Sequence, residues 1–339
     1  RERFLQFEAK LSKLRTLPAK TLDGRKIDLS ANIEFENEIE HLILQGAEGI
    51  GLFRSEGLLI GRENIPAEEE QYKAYKKIAE RVYPRKIIIR TFDIGGDKIA
   101  PQTIEESNPF LGWRGIRISL DRPEVFLDQL RAILRASTRK NISIMFPMVS
   151  TVEEVIKAKQ FVEQAKSELK SLKKRFDPNI SIGVMIEVPS AAVTADIIAK
   201  EVDFLSIGTN DLIQYLLAVD RGNNIVADLY QAFHPSVIKT IKHIIDSGHQ
   251  EGKWIGMCGE MAGDPLATVL LLGMGLDEFS VAPHIIPEIK KIIRSISYED
   301  AQKIAKQVLK IRTVKEVQDY LSELMRKKFA EIPIGKDNN

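Results

Sequence analysis

The chain has 339 residues, of which 44% are hydrophobic and 29% are charged, and this composition predicts a folded protein with a large core rather than a disordered one. A formal net charge of +1 gives no electrostatic reason to expect a nucleic acid or an anionic membrane as a partner. The single cysteine excludes an intrachain disulfide and favours a reducing, cytoplasmic location. The longest uncharged runs fall short of a membrane span, so we expect no membrane insertion.

Short apolar runs alternate with helix-length segments along most of the chain. Most of these runs are continuously apolar, as expected for parallel strands that are buried on both faces. Helix start signals lie between them, including the sequence Ser150–Glu153, which resembles a capping box. Eight strands that alternate with helices predict an α/β fold, a TIM (β/α)8 barrel with long rim loops and extra terminal helices. The predicted strands are Ile27–Ile33, Gly49–Phe53, Lys86–Phe92, Ile142–Met148, Ile182–Val188, Phe204–Ile207, Trp254–Met257 and Glu278–Val281.

Polar residues that follow the predicted strands are the first indication of function. In a TIM barrel the carboxyl ends of all strands meet at one rim, where the active site lies. Four arginines at this rim would suit the oxygens of a small, strongly anionic substrate, although an ordinary ion pair is the alternative for each of them. The polar and reactive residues predicted at the rim are Arg54, Arg90, Asp93, Arg114, Glu187, Asn210, Asp211, Arg221 and Cys258.

The stretch Asp203–Gly222 indicates both an anion and a metal. An apolar strand ends and an apolar helix begins inside it, with Asn210 and Asp211 at the junction, where free backbone N–H groups favour an anion. Glu187 and Asp211 are carboxylates of the kind that hold Mg²⁺ together with substrate oxygens and water. Helix capping by Asn210 or Asp211, and a structural salt bridge at Glu187, are the alternatives.

The only thiol is that of Cys258, which lies among glycines at a predicted strand end. A buried and inert cysteine is one interpretation. A proton donor or a nucleophile whose pKa is tuned by neighbouring cations is the other. The five histidines show no metal-ligand spacing, so we expect solvated or capping roles for them.

Six segments, in this order along the chain, resemble the motifs of the PEP-utilising enzymes, which act on phosphoenolpyruvate (PEP). Within this family the chain is most similar to the C-terminal PEP-binding barrel of the enzyme I group of the bacterial sugar phosphotransferase system. The resemblance extends over roughly residues 20 to 330. The segments are GLFRSEGLL, IIIRTFDIGGDK, NPFLGWRGIR, VMIEVPSA, SIGTNDLIQYLLAVDRGN and GMCGEMAGDP.

The resemblance implies a TIM barrel that binds PEP with Mg²⁺ and forms a homodimer. It implies that Arg54 and Arg90 hold the phosphate of PEP, with Arg114 nearby. By the same resemblance, Asn210 and Arg221 contact the oxygens of the substrate, and Arg221 reaches both of its ends.

The remaining implied roles concern the metal and a proton. Glu187 and Asp211 would coordinate Mg²⁺, and Asp211 would also lie against the substrate. Cys258 resembles the residue that protonates C3 of the enolpyruvate and so gives pyruvate. These roles agree with the chemistry, since phosphoryl transfer depends on positioning and charge neutralisation, and an enolate needs a placed acid.

One departure from the family is the missing phosphoacceptor. The family accepts the phosphoryl group on a histidine of a separate N-terminal domain, which serves a phosphocarrier protein, and no histidine here lies in a threonine-serine-histidine type of segment. We therefore expect residues 1–20 to be a linker helix from that domain, 21–296 the PEP-binding barrel, and 297–339 helices packed on the barrel. Such a chain would be part of a longer protein and would bind PEP without completing the transfer alone.

Three other functions fit parts of the sequence. The PEP-binding domain of pyruvate phosphate dikinase or PEP synthase shares the barrel and the cysteine motif. A Mg²⁺-dependent aldolase or lyase would also need Glu187 and Asp211, but not a cysteine acid. A scaffold or dimerisation module without activity is the non-enzymatic alternative.

Overall fold

The computed structural model describes residues 11, 13–62, 64–95 and 106–329, and these form a closed barrel of eight parallel strands. The strands are β1 (Asp28–Ile33), β2 (Ile50–Arg54), β3 (Ile87–Arg90), β4 (Ile142–Phe146), β5 (Ser181–Ile186), β6 (Phe204–Ile207), β7 (Trp254–Met257) and β8 (Glu278–Val281). Each strand pairs with the next along the chain, and β8 closes the barrel by pairing with β1. The predicted TIM barrel is therefore confirmed.

Helices return the chain from the carboxyl end of one strand to the start of the next, and short 3₁₀ turns lie between some of them. The α-helices are α1 (Ile39–Leu44), α2 (Glu68–Val82), α3 (Ile116–Asp121), α4 (Pro123–Ala136), α5 (Val152–Ser171), α6 (Pro189–Val193), α7 (Ala195–Glu201), α8 (Thr209–Leu217), α9 (Pro235–Gln250), α10 (Pro265–Met274), α11 (Ile286–Arg294), α12 (Tyr298–Val308) and α13 (Val314–Lys328). The capping box of α5 lies one residue later than predicted, because Thr151 and Glu154 make the reciprocal bonds.

The predicted strands agree closely with the observed ones, and one difference bears on function. The prediction extends the fourth strand to Met148, whereas β4 ends at Phe146. Met148 has a φ of 56°, in the left-handed region, so it cannot continue the strand. Its backbone N–H turns instead towards β5, where it meets a functional side chain described below.

Two hydrophobic clusters hold the barrel together. A small cluster fills the space inside the strands and consists of Leu52, Ile88, Met145, Met185, Phe204 and Cys258. A Cβ at Gly183 would lie 2.3 Å from the ring of Phe204, so glycine is needed there for the ring to fit inside the barrel. A much larger cluster lies between the outer faces of the strands and the helices. A barrel packed on both sides is rigid, and it holds the strand ends in fixed relative positions.

The two predicted C-terminal helices are present as α12 and α13. Val308, Val317 and Leu321 from these helices belong to the outer core, so α12 and α13 pack against the barrel. The predicted linker helix falls largely on residues outside the described part, as do the middle of the loop after β3 and the residues from 330 onwards. In the described part of the chain, no helix has both the length and the apolar character that crossing a membrane requires.

Candidate active site

A cavity of about 340 Å³ opens at the carboxyl ends of the strands. All eight of the residues predicted to act on substrate or metal line it, together with Asp93. They come from five different strand ends or the loops that follow them, so only barrel closure brings them together. The eight residues are Arg54, Arg90, Arg114, Glu187, Asn210, Asp211, Arg221 and Cys258.

Two of the arginines are buried in a network of ion pairs. Arg90 lies 3.2 Å from both Glu56 and Asp93, and Arg114 contacts Asp93 with two nitrogens, at 2.8 and 3.2 Å. Burial opposes the charge of each arginine, but the adjacent carboxylates outweigh it, so the pKa of Arg90 and of Arg114 is raised. Burial likewise opposes the charge of Asp93, yet the two guanidinium groups lower its pKa. This network fixes both guanidinium groups in the cavity wall.

The other two arginines are solvent-exposed. In the part of the chain that the structure describes, Arg54 makes no ion pair, and its guanidinium is free to meet an anion. Arg221 is held loosely, because its only acidic contact there is Glu260 at 3.8 Å. The cavity therefore combines two fixed cations with two adjustable ones.

Glu187 is buried at the end of β5 and accepts a hydrogen bond of 2.6 Å from the backbone N–H of Met148. The left-handed conformation of Met148 aims this N–H at the carboxylate. Burial, followed by the charges of Asp93 and Asp211, raises the pKa of Glu187 to about 8. Among the described residues Glu187 forms no salt bridge, so the structural ion pair considered from the sequence is not found.

Asp211 lies in the first turn of α8 and is also buried. One of its oxygens is 3.2 Å from Arg114, and the other, Oδ1, is buried without a hydrogen-bond partner among the described residues. Gly208 is the N-cap of α8 and no side chain caps this helix, so the helix-capping alternative for Asn210 and Asp211 is wrong.

The two carboxylates meet the requirements of a hard cation. The raised pKa of Glu187 indicates that its negative charge is poorly compensated, and Oδ1 of Asp211 has no hydrogen-bond partner among the described residues. No three His, Cys, Asp or Glu side chains form a metal-binding cluster within the described ranges. A divalent ion would thus have two protein ligands here and need further oxygens from water or a bound ligand, as Mg²⁺ commonly does.

Cys258 follows β7 and is only 3% exposed. Its Sγ accepts a hydrogen bond of 3.4 Å from the hydroxyl of Ser206, and its carbonyl accepts one of 2.9 Å from the side-chain amide of Asn32. Burial raises the pKa of Cys258 to about 11, although Ser206 and Arg90 act in the opposite direction. The thiol therefore stays protonated at neutral pH, which suits a proton donor better than a nucleophile.

Asn210 is engaged by a residue that the sequence predictions did not include. Its side-chain amide donates to Glu260 at 2.9 Å and its carbonyl accepts from the Glu260 backbone N–H at 2.8 Å. The Glu260 carboxylate thus lies between Asn210 and Arg221, two groups that the sequence predicts to bind substrate oxygens.

A comparison of sequences identifies the family. Residues 8–298 match the family described as PEP-utilising enzyme, PEP-binding domain. The chain belongs to this family. The resemblance found in the six sequence segments is therefore confirmed.

Curated members of the PEP-utilising enzymes are highly similar to this chain. It is 52% identical over 320 residues to phosphoenolpyruvate-protein phosphotransferase of Haemophilus influenzae, covering 94% of this chain and 56% of the relative. It is 47% identical over 325 residues to the protein of the same name from Staphylococcus carnosus, covering 95% and 57%. The chain thus spans about half the length of the relatives it matches. Their names support the enzyme I interpretation over that of pyruvate phosphate dikinase or PEP synthase.

A solved structure shares the architecture. A citrate lyase from Burkholderia xenovorans aligns with a TM-score of 0.52 and 15% identity, covering 95% of this chain and 98% of that one. At this low identity the likeness shows the barrel fold alone.

The structure adds three acids to the rim that the sequence predicts. Glu34, Glu56 and Glu260 line the cavity beside the predicted residues. Glu56 and Glu260 lie two residues after Arg54 and Cys258, within the motif segments, so proximity in sequence was the available signal. Glu34 lies in no motif segment, but it directly follows the first predicted strand, so its position at a strand end was the available signal.

Proposed function

We propose that this chain binds PEP together with Mg²⁺ and delivers the phosphoryl group of PEP to a histidine carried by another domain, with release of pyruvate. The observation that supports this most is the composition of one small cavity. It combines four arginines, the buried carboxylates of Glu187 and Asp211, and a buried, protonated thiol. The arginines suit the negative charge of the substrate, the carboxylates suit a metal ion bound beside it, and the thiol suits protonation of the enolate that forms from it.

The phosphate is proposed to lie against the arginines that follow β2 and β3. Arg90 and Arg114 are fixed by Asp93, so they present a preorganised positive surface at no further entropic cost. Arg54 is exposed and adjustable, and it would close on the phosphate when PEP binds. Positioning of this kind supplies most of the rate enhancement in phosphoryl transfer.

The other end of PEP is proposed to lie against α8 and the loop after it. Asn210 offers a side-chain amide, and Arg221 offers a planar fork that matches a carboxylate. Both groups contact the Glu260 carboxylate, at 2.9 Å from Asn210 and 3.8 Å from Arg221, which supports a carboxylate site between them.

Glu187 and Asp211 are the residues proposed to hold Mg²⁺, because their carboxylates are buried in the cavity and neither is engaged by two guanidinium groups, as that of Asp93 is. The metal when bound would neutralise charge on the substrate oxygens. Glu187 is held in place for this role by the backbone N–H of Met148. Asp211 is held by Arg114 through one oxygen, which leaves the other oxygen available.

The chemical step proposed for the chain ends in a proton transfer. A nitrogen of the acceptor histidine forms a bond to phosphorus while the bond between phosphorus and the enol oxygen breaks, and the electron pair of that bond stays on the enolate. The Sγ proton of Cys258 then moves to C3, which yields pyruvate and a thiolate. Water restores the thiol, a favourable step because the pKa of Cys258 is about 11.

The partners are part of the proposal. The chain covers 56% of the Haemophilus influenzae relative, and we propose that an N-terminal domain outside residues 1–339 carries the acceptor histidine and serves a phosphocarrier protein. Residues 1–20 would link that domain to the barrel of residues 21–296, with 297–339 as helices packed on it. We further propose that the chain works as a homodimer in the cytoplasm.

Calorimetric titration of the chain with PEP, with and without Mg²⁺, tests this function. We expect saturable binding that depends on Mg²⁺, with no pyruvate formed until a histidine domain of an enzyme I relative is added. Pyruvate release by the chain alone would indicate a self-contained lyase or phosphatase and contradict the proposal. Absence of binding at millimolar PEP, even with the histidine domain present, would favour an inactive scaffold.

A further inference from the structure

A second polar cavity lies at the end of the barrel opposite to the candidate active site. It has a volume of about 760 Å³ and is bordered by α2, by the carboxyl ends of α4 and α5, and by the loops that lead to β4 and β5. Helices of a TIM barrel run antiparallel to the strands, so these helix ends lie at the amino-terminal face of the barrel. We call this cavity the basic pocket. Its six cationic lining residues are Lys76, Arg135, Arg139, Lys170, Lys174 and Arg175.

The charge of the basic pocket is unlike that of the rest of the protein. Glu80 is the only acidic residue that lines it within the described part of the chain. The whole chain has 49 basic and 48 acidic residues, so positive charge is concentrated here rather than spread evenly. Like charges brought together repel one another, and a bound anion would relieve this repulsion.

Most of these cations have no acidic partner within the described ranges, although two of them lie over tyrosine rings. Arg135 is paired with Glu68 and Glu69, and it lies 4.1 Å above the ring of Tyr72. The other five form no salt bridge with any of the described residues, whereas ion pairs are frequent elsewhere on the helices. Their charges are therefore available to a ligand.

The helix dipole explains only part of the cluster. Arg135 and Lys170 lie in the last turns of α4 and α5, where the negative end of the dipole favours a cation. Lys76 lies in the middle of α2, and Lys174 and Arg175 lie in the loop beyond α5. The helix dipole therefore does not explain why these three residues lie at the cavity.

We propose that the basic pocket binds a small anion that carries two or more phosphoryl groups. Several separate cations suit an extended anion, because each phosphoryl group can meet its own lysine or arginine. A concave cavity of this volume fits a small molecule. Nucleic acid would require a basic stripe along the surface, whereas these cations line one cavity of a chain whose net charge is only +1. The site is separate from the PEP cavity and does not depend on the proposed function.

Titration calorimetry with inorganic tripolyphosphate, at low ionic strength and without divalent metal, tests the proposal. The double variant Lys174→Glu, Arg175→Glu reverses two exposed charges of the pocket, and neither side chain makes a hydrogen bond within the described residues that folding would lose. The control is Lys157→Glu, Lys239→Glu, which changes the net charge equally at exposed positions outside the pocket. We expect about tenfold weaker binding or more in the first variant and unchanged affinity in the control.

Two further measurements make the result decisive. Orthophosphate should bind at least about tenfold more weakly than tripolyphosphate, because one phosphoryl group reaches fewer of the cations. Tripolyphosphate should also protect Lys76, Lys170 and Lys174 of the unmodified chain from acetylation, which mass spectrometry detects without any substitution. Equal tripolyphosphate affinity in the two variants, or no protection at saturation, would overturn the proposal. Equal affinity for orthophosphate would overturn its requirement for two phosphoryl groups.

Discussion

At the residue scale, the properties of the cavity depend on neighbours that are distant in sequence. Cys258 is held by Ser206 from β6 and by Asn32 from β1. The amide of Asn32 is itself oriented by a 2.7 Å hydrogen bond from Ser280 on β8. Residues from three strands thus position the thiol. A substitution of any of these residues should alter the reactivity of the thiol before it alters the fold.

Ser206→Ala should raise the pKa of the Cys258 thiol by about one unit, because the hydroxyl that stabilises the thiolate is removed. The pH dependence of alkylation by iodoacetamide measures this pKa, and the signal is specific because the chain has one cysteine. Cys258→Ala supplies the background, and Ser143→Ala, on β4, is a matched control. An unchanged profile in Ser206→Ala would show that the hydrogen bond does not influence the thiol.

Glu260→Gln should strengthen PEP binding by up to about fivefold, since the exposed carboxylate competes for Asn210 and Arg221 and such exposed contacts are weak. Calorimetry with PEP and Mg²⁺ measures the effect. Glu124→Gln, an exposed position outside the cavity, should leave the affinity unchanged. Weaker binding in Glu260→Gln would mean instead that Glu260 supports the substrate.

At the scale of elements, the loop after β3 and the end of β4 depend on each other. Gly115 has a φ of 59°, and a Cβ there would lie 2.8 Å from the Cβ of Met148. Met148 in turn aligns the N–H that holds Glu187. Glycine is therefore needed at position 115 for both the loop and the carboxylate.

Gly115→Ala should lower the free energy of unfolding by about 2 kcal/mol and should weaken Mg²⁺-dependent PEP binding as well. Gly252→Ala is the matched control, because Gly252 has a φ of 70° but no atom within 4 Å of its added Cβ. That control should lose about 1 kcal/mol of stability and no affinity. Thermal unfolding and calorimetry separate the two effects, and intact PEP binding by Gly115→Ala would refute the link to Glu187.

The interior of the barrel carries a buried acid at the start of β8. Burial raises the pKa of Glu278 to about 7, although a 2.7 Å hydrogen bond from Ser30 opposes this shift. The folded state binds this proton more tightly than the unfolded state does. The contribution of the protonated acid to stability is therefore complete below the unfolded pKa of 4.5 and is lost as the pH rises through about 7.

Glu278→Gln should consequently be more stable than the wild type at pH 8, by up to about 3 kcal/mol, and this advantage should disappear near pH 4.5. The amide keeps the size of the side chain and accepts the same bond from Ser30, so packing is preserved. Melting temperatures measured across this pH range test the prediction, with Glu124→Gln as the exposed control. A difference that does not vary with pH would show that Glu278 is not protonated in the folded protein.

At the scale of the whole molecule, an apolar groove lies beside the active rim, apart from the active-site cavity and the basic pocket. It has a volume of about 670 Å³ and is lined by residues that include Phe110, Leu111 and Val219. Leu111 is 64% exposed, and Ile225, in the loop that follows Val219, is 91% exposed. Exposed apolar side chains beside a groove are typical of subunit interfaces, which agrees with the proposed homodimer.

Leu111→Asp should weaken the proposed dimer by about tenfold or more, because a charge would be buried at an apolar contact. Sedimentation equilibrium of the chain over a range of concentrations measures the dissociation constant. Ile156→Asp, on the outer face of α5 and outside the groove, should not change it. A monomeric wild-type chain at high concentration would contradict the dimer itself.

The sequence by itself determined the barrel and most of its rim. Mostly continuous apolar runs, separated by helix-length segments, specified eight strands to within about two residues, because such runs are typical of strands buried on both faces. Motif segments then located all eight of the proposed site residues, because each of these lies at a strand end or in the loop that follows.

Only the tertiary structure decided how these residues influence one another. The pairing of Arg90 with Glu56, the pairing of Arg114 with Asp211 and the burial that raises the pKa of Cys258 all involve residues at other strand ends. The same holds for the basic pocket, whose cations come from three helices and two loops. Local sequence patterns carry no information about such contacts, because charge, burial and hydrogen bonding depend on distances that are set only when the barrel closes.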